Sequence, residues 1–140
     1  MADDLLDAAV ARGIANFEAT SGQVPDGFRL LLQHAPGAFA GYGLLREAAM
    51  RAPEAGGALD LRTKELCLVL LDVLAGATEG AKSHAANALR QGLTLPQLAE
   101  GLVLCIMVGG ITTWNRSGRV VLEHAAALAA PPADTNGRSP

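Results

Sequence analysis

Along most of the chain apolar residues recur at three- and four-residue intervals and never alternate with polar ones, so the pattern predicts helices and no strands. A weakly amphipathic helix is expected over residues 3–18, followed by the turn "SGQVPDG". "FRLLLQHA" is short and helical, and "APGAFAGYGLLREAAM" begins a further helix with Pro36 at a favoured first position. The Pro- and Gly-rich "RAPEAGGALD" is a loop, after which Asp60 is a fair N-cap for a helix from about 61 to 75. Gly76 ends that helix, Thr78 caps the next, and Gly92 closes it as a C′ glycine. "TLPQ", residues 94–97, carries a capping box, with Thr94 as cap and Gln97 three residues on. Its helix runs to about 108, "GG" at 109–110 breaks the pattern, and a last helix covers about 112–129. The tail "PPADTNGRSP" cannot build a core and is expected to be disordered. The organisation expected is an N-terminal helix over 1–23, a helical domain over 24–130 and a tail over 131–140.

One segment stands apart. From Leu98 to Val108 the chain is apolar nearly all round a helix, with Glu100 its only charge. Such a helix has to be covered on several sides. A 140-residue chain has few helices to spare for that, which favours a homo-oligomer over a monomeric bundle.

Composition sharpens the all-α reading. Half the residues are hydrophobic but only 4% are aromatic, so the core has to be built from Ala, Leu and Val. A net charge of −3, spread without blocks, gives no reason to expect nucleic acid or an anionic membrane as partner. The longest apolar run, "LVLCIMVGGI", is about half of what a membrane span needs. The N-terminus is acidic where a secretory signal is basic, so a cytoplasmic location is expected. Cys67 and Cys105 have no metal or redox spacing and are read as buried thiols. No His/Cys/Asp cluster has zinc spacing.

The candidate chemistry lies in "LDLRTKELCLVLLDVLAGATEGAKSHAANALRQG", residues 59–92. On the second helix of this stretch Ala81, Ala85, Ala88 and Leu89 form the packing face, while Gly80, His84, Asn87 and Gln91 form another stripe. His84 therefore faces either solvent or the wall of a polar pocket. Glu79 stands about 140° round the helix from His84, and a carboxylate in a first turn is already explained by the helix dipole. On the first helix Glu65, Leu68 and Asp72 share a stripe. Asp72 interrupts "CLVLLDVLAG" and has to face solvent or meet a cation. Trp114, Asn115 and Arg116 follow the glycine break and could line a pocket mouth, while an interface role for Trp114 is equally open. His34 and His124 stand alone and fit surface or capping positions.

This stretch resembles the core of the carboxymuconolactone decarboxylase and alkyl hydroperoxidase D family. The likeness lies in the Arg-Thr-Lys-Glu helix start ending at Glu65, a His nineteen residues later and a Gly eight residues after the His. "GGITTWN" is similar to the family's later helix break, and "VPDGFRLLLQHAPGAFAGYGLLREA" to its lead-in, so that the resemblance spans roughly residues 24–127. It implies an all-helical bundle assembled as trimers or hexamers. The hydroperoxidase branch carries cysteines seven and four residues before the His, where this chain has Ala77 and Gly80, so a thiol peroxidase of that type is excluded. The decarboxylase branch lacks the cysteines and tends to have a carboxylate five residues before the His. The resemblance thus implies a catalytic set of His84 and Glu79 with Glu65 orienting the imidazole, and room for substrate beside Gly80. Asp72, Trp114 and Asn115 complete the candidate substrate-binding residues. No metal and no organic cofactor is implied, and the substrate class is a small carboxylated lactone or oxo acid. Isomerisation, hydrolysis or cyclisation on the same fold, and a non-catalytic binding oligomer, remain the alternatives.

Overall fold

A computed structural model describes residues 1–132, and these fold into helices with no strand among them. The expected tail falls outside the described residues from position 133 on. Among the described residues no helix is long and apolar enough to cross a membrane. The chain divides into two compact units, Met1–Leu61 and the remainder from Arg62.

The first unit holds α1 (Ala2–Ser21), α2 (Asp26–His34), α3 (Pro36–Ala49) and a short 3₁₀ turn, Pro53–Ala55. α1 ends at Gly22, whose positive φ lets its N–H close on Glu18. Four of the five aromatic residues gather here, with Phe17 and Phe39 almost wholly buried and Phe28 and Tyr42 stacked at 4.8 Å. α1 and α3 approach closely because Gly13 and Gly43 face each other: a Cβ on Gly43 would stand 2.6 Å from Gly13 Cα. Arg12 grips Glu47 through two hydrogen bonds of 2.6 and 3.2 Å, and Arg46 lies 4.9 Å over the Phe17 ring.

The second unit is made of α4 (Leu61–Ala75), α5 (Thr78–Arg90), α6 (Leu95–Gly109) and a final helix in three parts. Those parts are α7 (Ile111–Thr113), a π-helical turn (Trp114–Gly118) and α8 (Arg119–Ala129). Val69, Val73, Ala81, Ala85, Ala88, Leu98, Leu102, Val121 and Ala125 form its core. The alanine face of α5 is the packing face, as its pattern implies. Small side chains there let α5 lie close to its neighbours. Gly76 and Gly92 take the positive φ that their helix ends require, and the Thr94–Gln97 capping box is present.

Three expectations change. Thr78 is the first helical residue rather than the cap; its hydroxyl is hydrogen-bonded at 2.8 Å to Ser117, which is fully buried and needs a partner. Cys67 is exposed, on the side of α4 away from Val69 and Val73, whereas Cys105 is buried as expected. On α6 the residues Leu98, Leu102 and Cys105 are buried, yet Val103, Leu104, Met107 and Val108 are 51–81% exposed, so half of the apolar helix is bare in the single chain.

Candidate functional site

α4 and α5 run antiparallel, joined by the tight turn at Gly76. The start of α4 therefore lies against the later part of α5, and the end of α4 against its first turn. Both meetings bring polar groups together.

At the first, Glu65 is buried, at 4% exposure, and its Oε2 is 2.6 Å from His84 Nδ1. The His84 ring keeps part of its surface open, with 18% of the side chain exposed. Asn87, one turn beyond His84 and itself buried, donates from Nδ2 to the other carboxylate oxygen, Oε1, at 3.4 Å, a long contact. The Arg90 guanidinium donates in turn to Asn87 Oδ1. With Glu65 as acceptor, the neutral imidazole carries its proton on Nδ1 and leaves Nε2 bare. The His84 ring is turned toward α4 and not into open solvent.

At the second meeting, Asp72 Oδ2 lies 2.5 Å from where a Cβ on Gly80 would be. The space left by the glycine is thus filled by a carboxylate of the protein itself. Asp72 forms no ion pair among the described residues. Its place against the first turn of α5, where the helix dipole favours an anion, and its partial exposure account for a charge in this apolar stretch.

The other candidates stand apart. Glu79 points into water, 86% exposed, and binds Lys82 Nζ at 2.8 Å; that contact, ahead of the more distant His124, lowers its pKa. Trp114 packs on the core and against Gly118 within the π-helical turn, and Asn115 is exposed. Neither shares a hydrogen bond with Glu65 or His84. Arg116 lays its guanidinium over Gly76 at the C-terminal end of α4, a favourable place for a cation. The sequence reading did not assign roles to Asn87 and Arg90. Asn87 was visible on the His84 stripe, but nothing in the pattern marked Arg90 beyond a cation in a last turn.

Two open grooves lie elsewhere in this unit. One of about 350 Å³, lined by Arg62, Leu66, Leu70, Gln97, Gly101 and Leu104 among others, faces α6. The other, of about 470 Å³, lies between the C-terminal ends of α5 and α8. Neither is lined by Glu65 or His84. Among the described residues no group of three His, Cys, Asp or Glu side chains is arranged to hold a metal.

A crystal structure of a candidate carboxymuconolactone decarboxylase from Burkholderia xenovorans is similar to this chain at 28% identity. The likeness covers 88% of this chain and 92% of that one, with a TM-score of 0.82. No curated protein matches the sequence. The sequence profile described as the Carboxymuconolactone decarboxylase family matches residues 36–123, a span that includes Glu65, Asp72, Gly80, His84 and Asn87. With more than half of the chain matched, and with the all-helical fold shared, this protein belongs to the carboxymuconolactone decarboxylase family.

Proposed function

We propose that the protein is a cofactor-independent acid–base enzyme that decarboxylates a small carboxylated lactone or oxo acid. The observation that carries this reading is the 2.6 Å contact between buried Glu65 and His84, whose ring keeps only part of its surface open. Decarboxylation requires an electron sink, supplied here by a carbonyl conjugated to the carbon that bears the carboxylate. The bond to the carboxylate carbon breaks, its electron pair moves into that carbonyl to give an enolate, and carbon dioxide leaves. Protonated His84 then delivers a proton from Nε2 to the enolate carbon, and the ring recovers a proton from water. Glu65 keeps the other nitrogen protonated throughout and balances the imidazolium charge.

The substrate meets the exposed edge of the His84 ring, and Asp72, packed against Gly80 one helical turn away, is a second carboxylate nearby. An anionic substrate held beside that charge would be eased by losing its own. Glu79, paired with Lys82 on the water-facing side, is given no step.

We also propose that the working form is a homo-oligomer joined through the exposed apolar side of α6. The support is the exposure of Val103, Leu104, Met107 and Val108 on one helix, together with Ile111 just beyond it.

The test is carbon dioxide release from a panel of carboxylated lactones and oxo acids. His84→Gln is expected to slow the best substrate by about 10²–10⁴, the usual worth of general acid–base catalysis. Glu65→Gln should fall in the same direction. If His84→Gln releases carbon dioxide as fast as wild type, or no member of the panel turns over, the reading is wrong.

A further inference from the structure

The His84 ring is oriented by Glu65, but Glu65 needs orienting too. Its carboxylate has two oxygens and, being buried, gains no help from water. His84 takes Oε2 and Asn87 takes Oε1. Asn87 is an amide, which could equally turn its own oxygen toward Glu65, and that orientation would set two acceptors against each other. Arg90 decides between them. Its guanidinium has only donors, so it holds Asn87 Oδ1 and forces the amide N–H₂ toward the carboxylate. In the flipped orientation both ends would be mismatched, acceptor to acceptor and donor to donor.

We infer that Asn87, clamped by Arg90, is a positioning residue that holds the Glu65 carboxylate in place as an acceptor and so fixes the His84 proton on Nδ1. The inference rests on the acid–base reading of Glu65 and His84. His84, Asn87 and Arg90 follow at three-residue steps on α5, so one helix face carries the whole chain of contacts from the ring to the surface. Without Asn87, the buried carboxylate has only the imidazole as donor. Glu65 Oε1 then has no donor and the carboxylate can turn about its last bond, so Nδ1 loses its fixed acceptor. The 2.6 Å hydrogen bond is no longer held in one direction, and the proton of the neutral ring is free to move from Nδ1 to Nε2.

The experiment reads the tautomer of His84 directly, from long-range ¹H–¹⁵N correlation spectra of the labelled full chain, with His84→Gln to assign the signals. In wild type the neutral ring should carry its proton on Nδ1. In Asn87→Leu, which keeps much of the volume and removes the donor, the ratio of Nδ1–H to Nε2–H should fall about tenfold or more, given what a hydrogen bond to a charged group is worth. Arg90→Met should move the ratio the same way by less, and Arg90→Lys should restore most of it. A wild-type ring protonated on Nε2, or variants whose ratio equals that of wild type, would overturn the inference. Because Arg90 is exposed, its variants decide the matter should Asn87→Leu fail to fold. A purely structural role for Asn87 would lower the melting temperature and leave the ratio alone. Carbon dioxide release by His84→Gln judges the decarboxylase reading separately, so either idea can fall without the other.

Discussion

Gly80→Ala tests the contact between Asp72 on α4 and Gly80 on α5. An ideal Cβ there would stand 2.5 Å from Asp72 Oδ2 and 3.3 Å from its Cγ, well inside contact distance. Asp72 is half-exposed and can swing about two side-chain bonds, so the carboxylate would leave before the helices part. Leaving forfeits the favourable place at the first turn of α5, about 0.3–1 kcal/mol. Residual crowding adds a share of the ~1–3 kcal/mol typical of overpacking. The methyl group gives back up to ~1 kcal/mol in helix propensity, less than its full value so near a helix start. The net expectation is a loss of about 1 kcal/mol.

The same substitution in an Asp72→Ala background meets no carboxylate, keeps the propensity gain and should stabilise by ~0.5 kcal/mol. The two substitutions therefore couple by about 1–2 kcal/mol, above the ~0.3–0.5 kcal/mol within which independent sites add. Urea unfolding of the four proteins measures this. If the effects are additive, Asp72 does not occupy the space beside Gly80, and the account of why position 80 holds a glycine fails. A cysteine has the same Cβ, so the thiol that the hydroperoxidase branch carries at this position should meet the same obstacle while Asp72 is present.

Gly43→Ala should be harsher, a loss of ~2 kcal/mol or more in thermal unfolding, because its Cβ would meet the backbone of Gly13 at 2.6 Å and no side chain can move aside. Of the two thiols, Cys67 should react with a disulfide reagent in the native protein, while Cys105 waits for unfolding; it is 3% exposed, and burial pushes its pKa up. Arg12 holds the Glu47 carboxyl below its ordinary 4.5, so the folded state binds that proton less tightly than the unfolded chain. The resulting stabilisation is complete above about 4.5 and is lost as the pH falls through the lower folded value, and Glu47→Gln should flatten that part of an acid titration of stability. Met107→Glu, on the bare side of α6, should shift the mass measured by light scattering toward a single chain while leaving helix content unchanged.

The fold was legible where one chemical requirement acts alone. The positive φ of Gly76 and Gly92, the Thr94–Gln97 box and the alanine face of α5 each follow from local rules, and each stands where its pattern put it. Local rules failed where a residue had a more distant partner. Thr78 has the chemistry of a cap, but its hydroxyl serves Ser117, thirty-nine residues away, and the π-helical turn that brings Ser117 inward has no periodicity to betray it. The site divides the same way. Spacing put His84 nineteen residues after Glu65, and an antiparallel pair with a tight Gly76 turn converts that separation into a 2.6 Å contact. The family resemblance gave Glu79 a role five residues before His84, whereas the ~140° between them on one helix sends it to solvent and to Lys82. Proximity along a helix decides little; proximity across the pair decides what can react. Asp72 makes the point from the other side, since its reason for sitting in an apolar helix is a glycine on the neighbouring one, and neither residue explains the other until the two helices are laid together.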